Sequence, residues 1–328
     1  MNYITYNKSE ILKYRNNLAE IQAEFLRLFG VNDIFSNSKV YEVTIANELN
    51  HQLIKGHSGS RDAIDSDGEY EYKHFKETSS NHSWTFNDFS DNTINKLNSC
   101  QSVIFAHVDD TVFPAKLDWY YEVSGNVMSK YLEEKTKAIQ NTRKMINISP
   151  NQIEKNLGIY KTYVKGVNTN GDYYDMLQTI FNSIQKLEIL TSSKGLLTSN
   201  KIFELLTAVE LNHNMESEQG GRDGAHDAYD INGNLYEYKI SKSHSWNFQD
   251  ISVNVLNKYL QDSEIILVVK NPEKLEIIEI YSASPVNTVK RLKEKLEEKR
   301  VRAGNDLRRL QVSLSKGDLE IIKAKRIL

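Results

Sequence analysis

The sequence is short of sulfur and of long apolar runs. One cysteine, Cys100, stands in 328 residues. That excludes an intrachain disulfide and a multi-cysteine zinc site, and the lone thiol reads as an inert core residue. No stretch approaches the length that spans a bilayer, and no apolar segment follows Met1. Neither membrane insertion nor export is expected, and the expected compartment is the cytoplasm. An excess of basic residues is also missing, since 41 Lys and Arg against 44 Asp and Glu give a formal net charge of -3. Domains that bind nucleic acid are typically basic as a whole, so such a partner would have to meet a locally basic cleft. What remains is an ordinary globular mixture, 39% hydrophobic and 26% charged, in a chain long enough for two domains with a core each.

Self-similarity organises the chain. Glu48-Leu-Asn-His51 is answered by Glu210-Leu-Asn-His213, Glu71-Tyr-Lys73 by Glu237-Tyr-Lys239, and His82-Ser-Trp-Thr-Phe-Asn-Asp88 by His244-Ser-Trp-Asn-Phe-Gln-Asp250, in the same order. Lys39 to Glu42 likewise matches Lys201 to Glu204, and charged helical stretches from Ser129 to Met145 and from Val286 to Leu310 correspond. The chain reads as a tandem duplication, with residues 1–160 as one copy, 161–171 as a linker and 172–328 as the second. The linker is placed on Gly158 to Gly171, which has no apolar periodicity.

Each copy has the same coarse pattern. An amphipathic helix is followed by a second helix that ends in Glu-Leu-Asn-His, then by a glycine-rich loop. Turn residues between alternating segments predict a β-hairpin over Asp62 to Lys73, and another over Asp227 to Lys239. Apolar strands follow at Ser102 to His107 and Glu264 to Val269, then a further strand and a charged helix. The expected fold class is mixed α/β, with a central mixed sheet flanked by helices in each copy.

The hairpins carry the candidate chemistry. Hydrolysis of a phosphodiester needs an activated water and a counter-charge for the phosphate, and carboxylate-held magnesium supplies both. An Asp opening one strand and a Glu on its partner can converge on one ion. Residues i and i+2 of a strand face one side, so Glu71 with Lys73, and Glu237 with Lys239, point together while the tyrosine between them points away. The backbone carbonyls of Tyr72 and Tyr238 are further candidate ligands, and each lysine could orient water or stabilise the transition state. A duplicated solvated hairpin is the bland alternative. It leaves unexplained why Asp, Glu and Lys persist in both copies while Glu69 becomes Leu235.

This pattern resembles the PD-(D/E)xK nuclease superfamily, and more closely the PvuII-like type II restriction endonucleases. The resemblance rests on Gly30-Val-Asn-Asp-Ile-Phe-Ser36 with Lys39, on Gly221 to Asp227 with Asn232 to Ser241, and on the His82 and His244 segments. It implies two restriction-endonuclease-like domains forming an intrachain pseudo-dimer. It further implies Mg2+ on Asp62 with Glu71 and on Asp227 with Glu237, assistance from Lys73 and Lys239, 5'-phosphate ends, and one strand cut per copy. The second copy departs from the pattern, with Ser193-Lys-Gly-Leu-Leu197 in place of Asn-Asp-Ile-Phe.

Polar side chains after each hairpin are candidates for contacting bases of double-stranded DNA: His82, Ser83, Thr85, Asn87 and Asp88, and His244, Ser245, Asn247, Gln249 and Asp250. The change of Thr85 to Asn247 and of Asn87 to Gln249 leads us to expect two different half-sites. Trp84, Trp246, Phe86 and Phe248 read as core rather than stacking residues, His51 and His213 equally as structural groups or DNA contacts, and Glu48 and Glu210 first as surface carboxylates. The basic run from Lys290 to Arg309 has Glu at helical spacing from Lys and reads as a paired, solvated helix. No protein partner is required, so a monomer is expected. A structure- or damage-specific nuclease, and a non-catalytic DNA-binding protein on a nuclease fold, are the competing readings.

Overall fold

The computed structural model describes residues 3–54, 61–87, 91–137, 139, 145–216, 226–303 and 310–328. It divides into two compact units. Ala23–Ile34 and Ser38–Asn182 make up the unit of the first repeat, and Met1–Gln22, Phe35–Asn37 and Ser183–Leu328 that of the second. Among the described residues no helix is long and apolar enough to cross a membrane.

The first-repeat unit is built on a six-stranded sheet in the order Gln52–Leu53, Ala63–Ile64, Glu69–Lys76, Ser102–Asp109, Lys116–Ser124, Thr162–Tyr163. Glu69–Lys76 runs parallel to Ser102–Asp109, and the other neighbours are antiparallel. The central strand Ser102–Asp109, apolar from Val103 to Ala106 and at Val108, is buried along nearly its whole length, as a strand covered on both faces requires. Helices Asp91–Asn98 and Gly125–Lys137 pack close together. A Cβ on Gly125 would lie 2.2 Å from the Leu97 carbonyl oxygen, so only glycine permits this approach. The core beneath them includes Trp84, Phe86, Phe105, Tyr121 and Leu132.

The second-repeat unit repeats this plan. Its six strands lie in the order Lys325–Arg326, Glu276–Ala283, Glu264–Asn271, Leu235–Ser241, Ala228–Tyr229, Asn214–Met215, again with the hairpin strand parallel to the central one. Both sheets are therefore mixed, as the sequence predicts. Each unit adds a two-stranded ribbon, Trp84–Phe86 with Ile146–Ile148 in the first and Ser245–Phe248 with Val312–Ser315 in the second. The tryptophans hold these ribbons to the core. Trp84 Nε1 donates to the Ala106 carbonyl and Trp246 Nε1 to that of Val268, each at 2.9 Å.

The units cut the chain differently from two contiguous halves. Within the segment expected to be a free linker, Thr162–Tyr163 pairs with the sheet edge. Asn168 Nδ2 donates at 2.7 Å to the Asn47 carbonyl and to Asn50 Oδ1, and the Asn168 amide donates to Glu48 Oε2 at 2.8 Å. The counterpart in the second-repeat unit comes from the start of the chain, where Asn214 Nδ2 donates to the Ile4 carbonyl at 2.7 Å and Tyr3 Oη to that of Asn212 at 3.0 Å. These contacts are hydrogen bonds between polar backbone segments, which apolar periodicity cannot report. The Glu-Leu-Asn-His motif has a local cause as well. Asn50 and Asn212 end their helices at φ 55 and 56, the left-handed conformation that asparagine tolerates.

Asp318 secures the far end of the second-repeat unit. It is 2% exposed and accepts from Arg291 Nε at 2.7 Å, Lys295 Nζ at 2.6 Å and the Ser315 amide at 2.7 Å. Burial alone would raise its pKa, but Lys295, the Ser315 amide and Arg291 outweigh burial and hold the carboxyl well below its usual range. A depressed carboxyl contributes stability above the unfolded pKa of about 4 and loses it as pH falls through the folded value. Asp318→Asn should cost about 3 kcal/mol in urea unfolding at pH 7, with the difference from wild type shrinking below pH ~4.

Candidate active site

Both hairpins form as expected. Ala63 pairs with Tyr70 and Ile64 with Glu69, while Ala228 pairs with Tyr236 and Tyr229 with Leu235. Their turns are closed by aspartates. Asp65 Oδ1 accepts from the Asp67 amide at 2.8 Å, and Asp230 Oδ1 from the Asn232 and Asn234 amides at 2.9 Å each.

The residue before each short strand is the candidate ligand aspartate, and the backbone orients it. Asp62 Oδ2 accepts from the Tyr72 amide at 2.8 Å, and Asp227 Oδ2 from the Tyr238 amide at 2.7 Å. Glu71 and Glu237 are 6% and 7% exposed, and each forms an ion pair with the lysine two residues on, Lys73 or Lys239. The i, i+2 argument thus describes both pairs. Each lysine also lies over a ribbon aromatic, Lys73 at 5.3 Å from the Phe86 ring centroid and Lys239 at 5.5 Å from Phe248. Ribbon and hairpin are therefore joined through the lysine.

The tyrosines face the other way, where they meet the repeated histidines. His51 Nδ1 lies 2.8 Å from Tyr72 Oη and its ring stacks on Tyr70 at 4.0 Å; His213 repeats this with Tyr238 at 2.8 Å and Tyr236 at 3.9 Å. Burial lowers the pKa of both, that of His213 to about 4, so both rings are neutral at pH 7. A neutral ring has one donor and one acceptor nitrogen and the tyrosine hydroxyl can meet either, so the contact pins the strand whose backbone amide holds the aspartate. The histidines are positioning groups. Glu48 is held by the Asn168 amide and Glu210 is exposed, so neither joins the site.

Two further carboxylates do join it, and sequence reasoning gave them no role. Lys39, opening the helix Lys39–Leu49, forms an ion pair with Glu42 and lies 3.4 Å from Asp62 Oδ1. Burial, reinforced by Asp62, pushes the Glu42 carboxyl up to about 7. In the second repeat, burial together with Glu237 and Glu204 pushes Asp227 well up, and burial with Glu237 raises Glu204 against the pull of Lys201 and Lys239. Glu71 is raised by burial and by Asp62, against Lys73. Lys73 and Lys239 hold their protons firmly, because the carboxylates outweigh the cost of burial. The available signal was the Lys-x-x-Glu kept in both copies. The second site has one more carboxylate, Asp262, which pairs with His226 and is pushed up by burial to about 6.

Each site thus concentrates buried carboxylates whose mutual repulsion is offset by lysine ammonium groups and by the tyrosine amides that donate to the aspartates. Among the described residues no group of three or more His, Cys, Asp or Glu side chains is arranged as a ready metal site. The donor chemistry nonetheless fits a hard divalent cation. Magnesium binds through one or two carboxylates and keeps several waters, and among the described residues the buried Glu71 Oε2 meets no hydrogen-bond partner. An orphaned buried carboxylate oxygen is costly unless a cation or donor meets it.

Of the candidate DNA contacts, strand alternation divides the set. Ser83, Thr85 and Asn87, and Ser245, Asn247 and Gln249, share the parity that points away from the buried Trp and Phe side chains. His82 instead stacks on Phe75 with its Nε2 3.3 Å from the Glu77 carbonyl, and His244 Nε2 lies 2.8 Å from Glu279 Oε2. Asp250 is exposed at φ 51, and Asp88 lies outside the described residues. The ribbon partners supply polar groups that local sequence did not reveal. Thr85 Oγ1 donates to Asn147 Oδ1 at 2.8 Å, and Ser313 stands opposite Asn247. Comparison with known proteins finds no protein-family model and no curated sequence that matches this chain.

Proposed function

We propose that the chain is a magnesium-dependent, sequence-specific endonuclease for double-stranded DNA, a restriction-type enzyme that cuts one strand with each repeat and leaves 5'-phosphate ends. The observation that carries this reading is the duplicated Asp, Glu and Lys set, oriented by the same backbone amide and ion-paired in the same way in both units. Asp62 and Glu71, with Asp227 and Glu237, would hold the cation together with the carbonyls of Tyr72 and Tyr238. Glu42 and Glu204 add negative charge behind them. When bound, magnesium neutralises the phosphate and lowers the pKa of water. The lysine ammonium, displaced from its glutamate, orients the attacking water and stabilises charge on the phosphate. The fold reading is that each mixed sheet is a restriction-endonuclease-like core and the pair a single-chain pseudo-dimer.

Specificity is assigned to the outward ribbon faces. Asn247 Oδ1, itself buried, has no hydrogen-bond partner among the described residues, which costs free energy unless a donor meets it. Because Thr85 and Asn87 stand where the second repeat has Asn247 and Gln249, the two halves read different half-sites. Digestion of genomic DNA with magnesium, followed by sequencing of the ends, tests this. Fragments that share one end sequence, asymmetric or partly palindromic, are expected. Cleavage of a perfect palindrome alone would sink the two-half-site reading, and cuts placed by lesions or junctions would replace sequence specificity with structure specificity.

A further inference from the structure

The charged helix Pro285–Ala303 does more than carry paired surface charges. Lys295, Glu298, Lys299 and Arg302 fall at i, i+3, i+4 and i+7, so they share one face. That face forms one wall of an open groove of about 420 Å³ whose other wall is the start of the ribbon strand Val312–Ser315. Lys299 Nζ donates at 2.7 Å to the Gln311 carbonyl, which ties the two walls together. Arg302 is 80% exposed at its side chain, 3.5 Å from Glu298. Lys295 pairs with Asp318, Arg302 with Glu298 and Lys299 with the Gln311 carbonyl, so among the described residues three cations and one carboxylate line the groove. In a chain of net charge -3 this local excess stands out.

The groove has a defined relation to the ribbon. Ser313, which lines it, pairs directly with Asn247. Directly opposite residues of an antiparallel pair project to the same face, so the groove adjoins the outward surface that carries Ser245, Asn247 and Gln249.

Resting on the endonuclease reading, we propose that this groove binds a backbone phosphate of the duplex beside the half-site read by the second ribbon. Lys299 and Arg302 supply the charge and the Ser313 hydroxyl a hydrogen bond. Phosphate contacts fix register without reading sequence, so the clamp sets where Asn247 and Gln249 meet base edges. It acts on the second repeat's half-site.

The test is fluorescence anisotropy of a labelled mixed-sequence duplex, titrated with the full chain in EDTA over a range of KCl. Lys299→Ala/Arg302→Ala should weaken binding about tenfold at low salt and make the dependence of log affinity on log salt shallower by about 1 to 2. Glu298→Gln, which releases Arg302 from its carboxylate, should tighten binding, a direction that misfolding cannot imitate. Wild-type affinity and slope in both variants would overturn the groove. If wild type cuts DNA while the variants are unchanged, the groove alone falls. If wild type neither binds nor cuts, the endonuclease reading falls with it.

Discussion

Lys73→Ala should cut one strand of a duplex and Lys239→Ala the other, so each variant is expected to convert supercoiled plasmid to nicked circles and stop there. The expectation follows from having one complete Asp, Glu and Lys set in each unit. A cation placed to stabilise charge on the transferring phosphate is worth about 10²–10³ in rate. Losing it from one site leaves the other strand's hydrolysis near its wild-type rate. The double variant should cut neither strand. Strand-specific end labels identify which strand survives in each case. Double-strand breaks at the wild-type rate in either single variant would remove that lysine from the mechanism.

Asp227→Asn should abolish cutting of one strand and yet make the metal-free protein more stable at pH 8. Burial, Glu237 and Glu204 all work against the Asp227 carboxylate, and burial with Asp62 does the same to Glu42, held up to about 7. A carboxyl whose folded pKa is raised contributes stability below its unfolded pKa of about 4, and loses it as pH rises through the folded value. The metal-free wild type therefore loses stability from about pH 5 to pH 8, on the order of 1–3 kcal/mol. The neutral Asn removes part of that loss. Magnesium should raise Tm more at pH 8 than at pH 5, since ligand binding stabilises by mass action and the ligands must be ionised. Thermal unfolding at both pH values, with and without magnesium, checks each sign. An Asp227→Asn protein less stable than wild type at pH 8 would contradict the repulsion on which the site's chemistry rests.

Much of this arrangement is written locally. The turn residues around Asp65 and Asp230 place the hairpins, alternation puts Glu71 with Lys73 on one face, and the tryptophans and phenylalanines after each hairpin are core. What local pattern could not supply is pairing at a distance. Glu42 meets Asp62 only because a helix is laid beside the hairpin, Asn147 meets Thr85 only because a ribbon closes across 62 residues, and Ile4 meets Asn214 from the far end of the chain. His51 shows the intermediate case. Its repetition left a structural role and a DNA contact equally open, and the meeting with Tyr72 gives the structural role its content.

The most direct test of the account is a magnesium titration of plasmid cleavage by the wild-type chain, with an EDTA control and chemical analysis of the ends. The account predicts no cleavage in EDTA, and magnesium-dependent double-strand breaks with a 5'-phosphate on each strand. Intact plasmid at every magnesium concentration, or cleavage undiminished by EDTA, would contradict it.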